Sequence, residues 1–134
     1  MSKVVNKIPK RGEIWLIDYS FKPKKGKEKE LETKSKIINK IRPSLVVSNN
    51  PQNECDVEII VAPLSSKKLE RIEPYELLIK RNKENGLDKD SKILFNRLRA
   101  IEKEDRLGDY IGVLDQEIMK EVKKRLNLVL DLED

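Results

Sequence analysis

The chain has 134 residues, with 29 Lys and Arg against 24 Asp and Glu, a net charge of +5, one cysteine and no histidine. Charged residues make up 40% and apolar ones 37%, which points to one domain over residues 1–134, a compact core and a densely ionic surface. The missing histidine removes the commonest general acid/base, and with Cys55 alone it excludes a Cys-His nucleophile and a Cys/His zinc site. No apolar run approaches the roughly 18 residues a bilayer span needs, and Met1–Lys7 carries no secretory apolar stretch. A lone cysteine cannot close an internal disulfide, so a reducing cytoplasm is the expected compartment and no membrane partner is expected.

In chain order, Glu13–Tyr19 reads as a first strand, with Ile14 and Leu16 on one face and Trp15, Ile17 and Tyr19 on the other. Phe21–Lys40 differs in kind: eight lysines and three acids (Glu28, Glu30, Glu32) predict a solvated, mobile, lysine-rich loop over about 22–40. Pro43 pushes Arg42 toward extended backbone, so Arg42 is expected at the mouth of a strand whose core is Leu45-Val46-Val47. Asn49–Asp56 reads as a turn. Val57–Leu64 is a strong strand signal, with Pro63 suggesting an edge or a terminus, and Ser65-Ser66-Lys67-Lys68 follows it directly. Tyr75–Lys80 is a short strand, and Asn85-Gly86 a turn. Lys92–Ile101 reads as one longer strand that sets Phe95, Arg97 and Arg99 on one face, and Tyr110–Leu114 is a last, weaker strand. Asp115 caps a helix to about Leu130 with an apolar stripe of Ile118, Val122, Leu126 and Val129, flanked by Met119 and Leu130. Short strands followed by one amphipathic helix describe a mostly β, α+β domain: a small curled sheet or barrel with the helix packed on it.

Three polar clusters lie at strand ends: Arg42; Ser65 and Ser66; and Asn96, Arg97 and Arg99. Convergence on one rim would make a phosphate site, because a guanidinium can take two phosphate oxygens at once. Three unrelated surface sites are the rival reading.

The ordered stretches Arg11-Gly12-Glu13-Ile14-Trp15-Leu16, Arg42-Pro43-x-Leu45-Val46-Val47 and Ile60-Val61-Ala62-Pro63-Leu64-Ser65-Ser66 resemble the successive motifs of the PemK/MazF toxin family. So do Gly86-Leu87-x-x-Asp90-Ser91-x-Ile93-Leu94, Leu98-Arg99-x-Ile101 and the terminal helix. The resemblance covers residues 11–130 and implies an SH3-like, CcdB/PemK-type small barrel that forms a homodimer. It also implies a sequence-selective endoribonuclease of single-stranded mRNA that needs no metal and no cofactor. There the RNA's 2′-hydroxyl attacks the adjacent phosphate, leaving a 2′,3′-cyclic phosphate and a 5′-hydroxyl. A cognate antitoxin would inhibit it, and operator DNA bound jointly with that antitoxin is a further expected partner.

Carried over residue by residue, the resemblance makes Arg42 and Ser65 catalytic and matches Glu28 to a loop carboxylate suited to accept a proton. Ser66, Lys67, Asn96, Arg97 and Arg99 are expected to bind RNA. The chain departs from the family pattern in the long Lys29–Ile41 stretch without glycine, in Asn96-Arg97, and at Ala100 where relatives have threonine. Those departures keep a second reading open: a non-catalytic toxin or binding module of the same fold, acting on gyrase, an operator or RNA without cleavage.

Overall fold

A computed structural model of the chain describes residues 8–20 and 41–132. Glu28 and the lysine-rich stretch lie outside the described residues. Seven strands are described: β1 (Glu13–Asp18), β2 (Ile41–Val46), β3 (Glu58–Ser65), β4 (Glu76–Ile79), β5 (Ser91–Leu94), β6 (Arg99–Glu102) and β7 (Leu107–Val113). Three helices accompany them: α1 (Asn50–Cys55), α2 (Lys103–Arg106) and α3 (Gln116–Leu130). No helix among the described residues is long and apolar enough to cross a membrane.

The strands pair antiparallel in the order β4-β5-β3-β2-β1-β7, with β6 also on β3. The sheet curls but does not close. The strands β7-β1-β2-β3-β6 pair in succession, β6 and β7 form no ladder with each other, and α2 joins them in the chain. Arg106 ties α2 to the end of β1, its Nη1 donating to the carbonyls of Asp18 at 2.7 Å and Ser20 at 2.9 Å.

β3 is the spine. β2 lies along one side, and β6 and β5 share the other, pairing with Glu58–Val61 and with Leu64–Ser65 respectively. Between Val61 and Leu64 the neighbouring chain runs from Arg99 back to Ile93, and the surplus residues coil into a 3-10 turn, Phe95–Arg97. Lys92–Ile101 is therefore two strands broken by a turn. Phe95 is wholly buried while Arg97 and Arg99 are exposed, so these three do not share a face as alternation predicts. The same break explains Pro63, which is buried inside the central strand and not at an edge. Val47 N–H donates to the Ile60 carbonyl at 2.9 Å; by alternation along β3, position 63 turns its nitrogen away from β2, toward the gap between β6 and β5, where a missing N–H breaks no ladder.

Asn49–Asp56 is helical and not a simple turn. Asn49 caps α1 by accepting from Gln52 N–H at 2.8 Å, and Pro51 sits in its first turn. Asn53, fully buried, fixes α1 to the sheet by donating to the Ser48 carbonyl at 3.0 Å, while Ser48 Oγ accepts from Ile60 N–H at 3.0 Å.

Alternation splits the apolar residues between the two faces. Ile14, Leu45, Ala62, Leu64, Ile93 and Phe95 pack with Val122 of α3, joined by Ile118, Met119, Leu126 and Val129. Trp15, Ile17, Val46, Ile59, Val61 and Ile101 form a second cluster on the other face, with Tyr19 against it. The helix begins as expected, Asp115 accepting from Ile118 N–H at 2.9 Å. Leu130, expected on the stripe, is half exposed.

Phe95 has no exposed surface and anchors the turn that carries Asn96 and Arg97. Phe95→Ala is expected to lower stability by about 3–5 kcal/mol, measured by urea unfolding.

Candidate nucleic-acid interface

β2 and β3 pair with Ser44 opposite Pro63. Continuing that register two residues along each strand brings Arg42 opposite Ser65, on the same side of the sheet as Ser44 and Pro63. Both sit at strand ends and both are half-buried. Two depressions flank them, and Arg42, Ser65 and Lys67 line both, so these three form a shared ridge.

The first depression, about 490 Å³, has an apolar floor of Leu16, Pro43, Leu64, Leu87 and Ile111, with Ser66, Asp88, Lys89 and Ser91 at its rim. The Asn85-Gly86 turn shapes its wall. Asn85 is buried and accepts from Asn82 N–H and Leu87 N–H, each at 3.0 Å. Gly86 has φ +68°, and a Cβ there would stand 2.2 Å from the Ile111 carbonyl oxygen, so only glycine fits.

The second depression, about 620 Å³, is cationic: Arg42, Lys67, Lys68, Lys92, Arg97 and Arg99, with Tyr19, Tyr75 and Asn96 among its walls. Of its cations only Lys92 pairs with a described carboxylate. The Lys92 ammonium is almost fully buried, 2.9 Å from Glu76 Oε1, and also donates to the carbonyls of Lys68 and Arg71, each at 3.1 Å. All three of its donors are thereby used, which holds the loop beyond Ser65 and places Lys67 and Lys68 beside the ridge. Burial pushes the Glu76 carboxyl up, but the Glu73 N–H, Lys92 and the charge of Arg97 together outweigh it and leave the group below its ordinary value.

Ser65 Oγ accepts from Lys67 N–H at 3.2 Å, which leaves its proton free to donate into the cleft. Across the second depression the Tyr19 hydroxyl lies 2.6 Å from Ser44 Oγ, and the Arg99 guanidinium stands 5.3 Å above the Tyr19 ring centroid.

The three clusters read from the sequence thus share one surface. Arg42, Ser65 and Lys67 lie on the ridge, Ser66 borders the first depression, and Asn96, Arg97 and Arg99 border the second. Glu28 lies outside the described residues. Tyr19 and the Glu76–Lys92 pair had no sequence signal, since a strand-end tyrosine and an isolated acid and base have no motif spacing.

The chain matches the family of PemK-like, MazF-like toxins of type II toxin–antitoxin systems over residues 10–130. It is 33% identical over 127 residues to endoribonuclease EndoA of Bacillus subtilis, covering 95% of this chain and 98% of that one. It is 30% identical over 123 residues to endoribonuclease MazF of Staphylococcus saprophyticus, covering 92% of each. Among solved structures it is similar to a mycobacterial endoribonuclease in complex with its cognate antitoxin, with a TM-score of 0.70 at 20% identity, covering 94% of this chain and 98% of that one. MazF of Deinococcus radiodurans superposes with a TM-score of 0.65 at 20% identity, over 93% and 98% of the two chains.

Because the folded Glu76 pKa is lowered, the pair contributes stability above the ordinary glutamate range, near about pH 4.3. That contribution is lost as the pH falls through the lowered value. Urea midpoints followed into acid are expected to fall less steeply in Glu76→Gln than in the wild type; parallel curves would contradict the role given to the pair. From its sequence motifs, its two-faced sheet with a terminal helix, and its likeness to these relatives, the chain belongs to the PemK-like, MazF-like toxin family.

Proposed function

We propose the chemistry and the substrate path by which this MazF-type endoribonuclease toxin acts: metal-independent cleavage of single-stranded mRNA on the Arg42–Ser65–Lys67 ridge. The observation that carries this reading is the β2–β3 register, which sets a guanidinium opposite a hydroxyl with a proton to donate, between two depressions.

In this reading the scissile phosphate sits on the ridge and its neighbouring nucleotides enter the depressions on either side. The 2′-oxygen attacks phosphorus as its proton passes to a base, the bond to the 5′-oxygen breaks, that oxygen takes a proton from water, and the products are a 2′,3′-cyclic phosphate and a 5′-hydroxyl. Two donors of Arg42 hold the non-bridging oxygens and stabilise the charge that grows on them in the transition state. The Ser65 hydroxyl donates to the same group. Glu28 is the carboxylate suited to accept the 2′ proton, a role that a guanidinium, which keeps its own proton, performs poorly. Ser66, Lys67, Asn96, Arg97 and Arg99 hold the flanking nucleotides, and the cations without described carboxylate partners favour a polyanion. A homodimer, a cognate antitoxin covering this surface, joint binding of operator DNA and a cytoplasmic site of action complete the proposal. They are supported by the family membership and by the antitoxin-bound neighbour.

Single-stranded RNA incubated with the protein in EDTA is expected to yield cyclic-phosphate and 5′-hydroxyl ends. Intact RNA, or 5′-phosphate ends that need a metal, would contradict the reading, and RNA bound yet intact would favour the binding module. Arg42→Ala is expected to slow cleavage by about 10²–10³-fold and Ser65→Ala by about 10²-fold, with unfolding midpoints near wild type. Arg97→Ala is expected to make RNA binding less salt-dependent, lowering the slope of log affinity against log salt by about 0.7.

A further inference from the structure

Tyr19 stands one residue past β1, in the wall of the cationic depression that Arg42 and Arg99 also line. Its hydroxyl lies 2.6 Å from Ser44 Oγ, and Ser44, fully buried, can donate to the Arg42 carbonyl at a long 3.4 Å. Either hydroxyl of the Tyr19–Ser44 pair can be the donor. The face of the ring is covered by Arg99, 5.3 Å from its centroid, the geometry in which the ring's negative face attracts a guanidinium. Burial raises the Tyr19 pKa above the ordinary tyrosine range, outweighing the Ser44 hydrogen bond and the charges of Arg99 and Arg42. The ring is therefore neutral near pH 7.

We propose that Tyr19 is a positioning residue of the RNA site: its ring holds the Arg99 guanidinium, and its hydroxyl, through Ser44, steadies the backbone of Arg42. The proposal rests on the ribonuclease reading. An arginine free in solvent loses rotamer freedom when it meets a phosphate, whereas one stacked on a ring has lost it beforehand. A carboxylate would order Arg99 equally well but would repel RNA. A neutral ring orders it and leaves the positive charge available. Among the described residues no ion pair joins Arg42 or Arg99 to a carboxylate, and the Tyr19 ring lies 5.3 Å from the Arg99 guanidinium.

The test uses the full chain with two RNAs of one sequence, unmodified and 2′-O-methylated so that no 2′-hydroxyl can attack. Tyr19→Leu is expected to weaken binding of the methylated RNA by about 3- to 30-fold. Made in an Arg99→Ala background, the same change is expected to cost less than about twofold, because the two side chains act as one unit. Tyr19→Phe keeps the ring and is expected to bind within about threefold of wild type while cleaving unmodified RNA several-fold more slowly. If Tyr19→Leu does not fold, Tyr19→Trp serves in its place, since it offers a stronger π face. It is expected to bind at least as tightly as wild type when Arg99 is present and to confer no advantage when Arg99 is alanine. Equal losses from Tyr19→Leu with and without Arg99, while wild type cleaves normally, would overturn this proposal alone. A wild type that leaves unmodified RNA intact would overturn the ribonuclease reading with it.

Discussion

Because β2 and β3 pair with Ser44 opposite Pro63, two residues separated by a long stretch of sequence are set opposite each other at the rim of the sheet. Every other feature of the site is arranged around that register. A one-residue slip would turn Arg42 to the other face and exchange Leu45 and Val46 between the two apolar clusters, so the burial of Leu45, Val46, Val61 and Ala62 also secures the site. Pro43 and Pro63, each lacking an N–H, fit because one lies near a strand end and the other faces the gap left by the 3-10 turn. The same gap frees Asn96 and Arg97 from the sheet and lets them stand over the second depression.

A surface that gathers this many cations needs a reason to stay ordered. Lys92 is neutralised by Glu76 and spends its remaining donors on loop carbonyls, so it acts beneath the surface as a brace. Arg99 is ordered by an aromatic face, and Arg42 by its place in a strand. The remaining positive charges are left without described carboxylate partners, an arrangement suited to binding a polyanion.

Much of this was legible in the sequence. The two-faced apolar strands at Glu13 and Val57, the Pro-restrained Arg42 and the capped helix at Asp115 all follow from local chemistry. What failed was what depends on a neighbour. The 3-10 break in Lys92–Ile101 arises because β3 is shorter than the chain laid against it, which a period-2 pattern cannot reveal. Asn49-Asn50-Pro51 carries both turn and helix-start chemistry, and the buried hydrogen bonds of Asn53 decide for the helix. The mostly β fold with its terminal helix is as expected, and its sheet stays open between β6 and β7, where α2 lies in the chain. Tyr19 and Glu76 become meaningful only once Ser44, Arg99 and Lys92 are brought beside them.

The account's central claim is that one phosphodiester bridges Arg42 and Ser65. A structure of the protein bound to RNA with a single 2′-deoxy substitution at the cleavage position tests it most directly. The account predicts the non-bridging oxygens of that phosphate within hydrogen-bond reach of both the Arg42 guanidinium and the Ser65 hydroxyl. RNA tracking over another surface, with those two side chains unliganded, would contradict it.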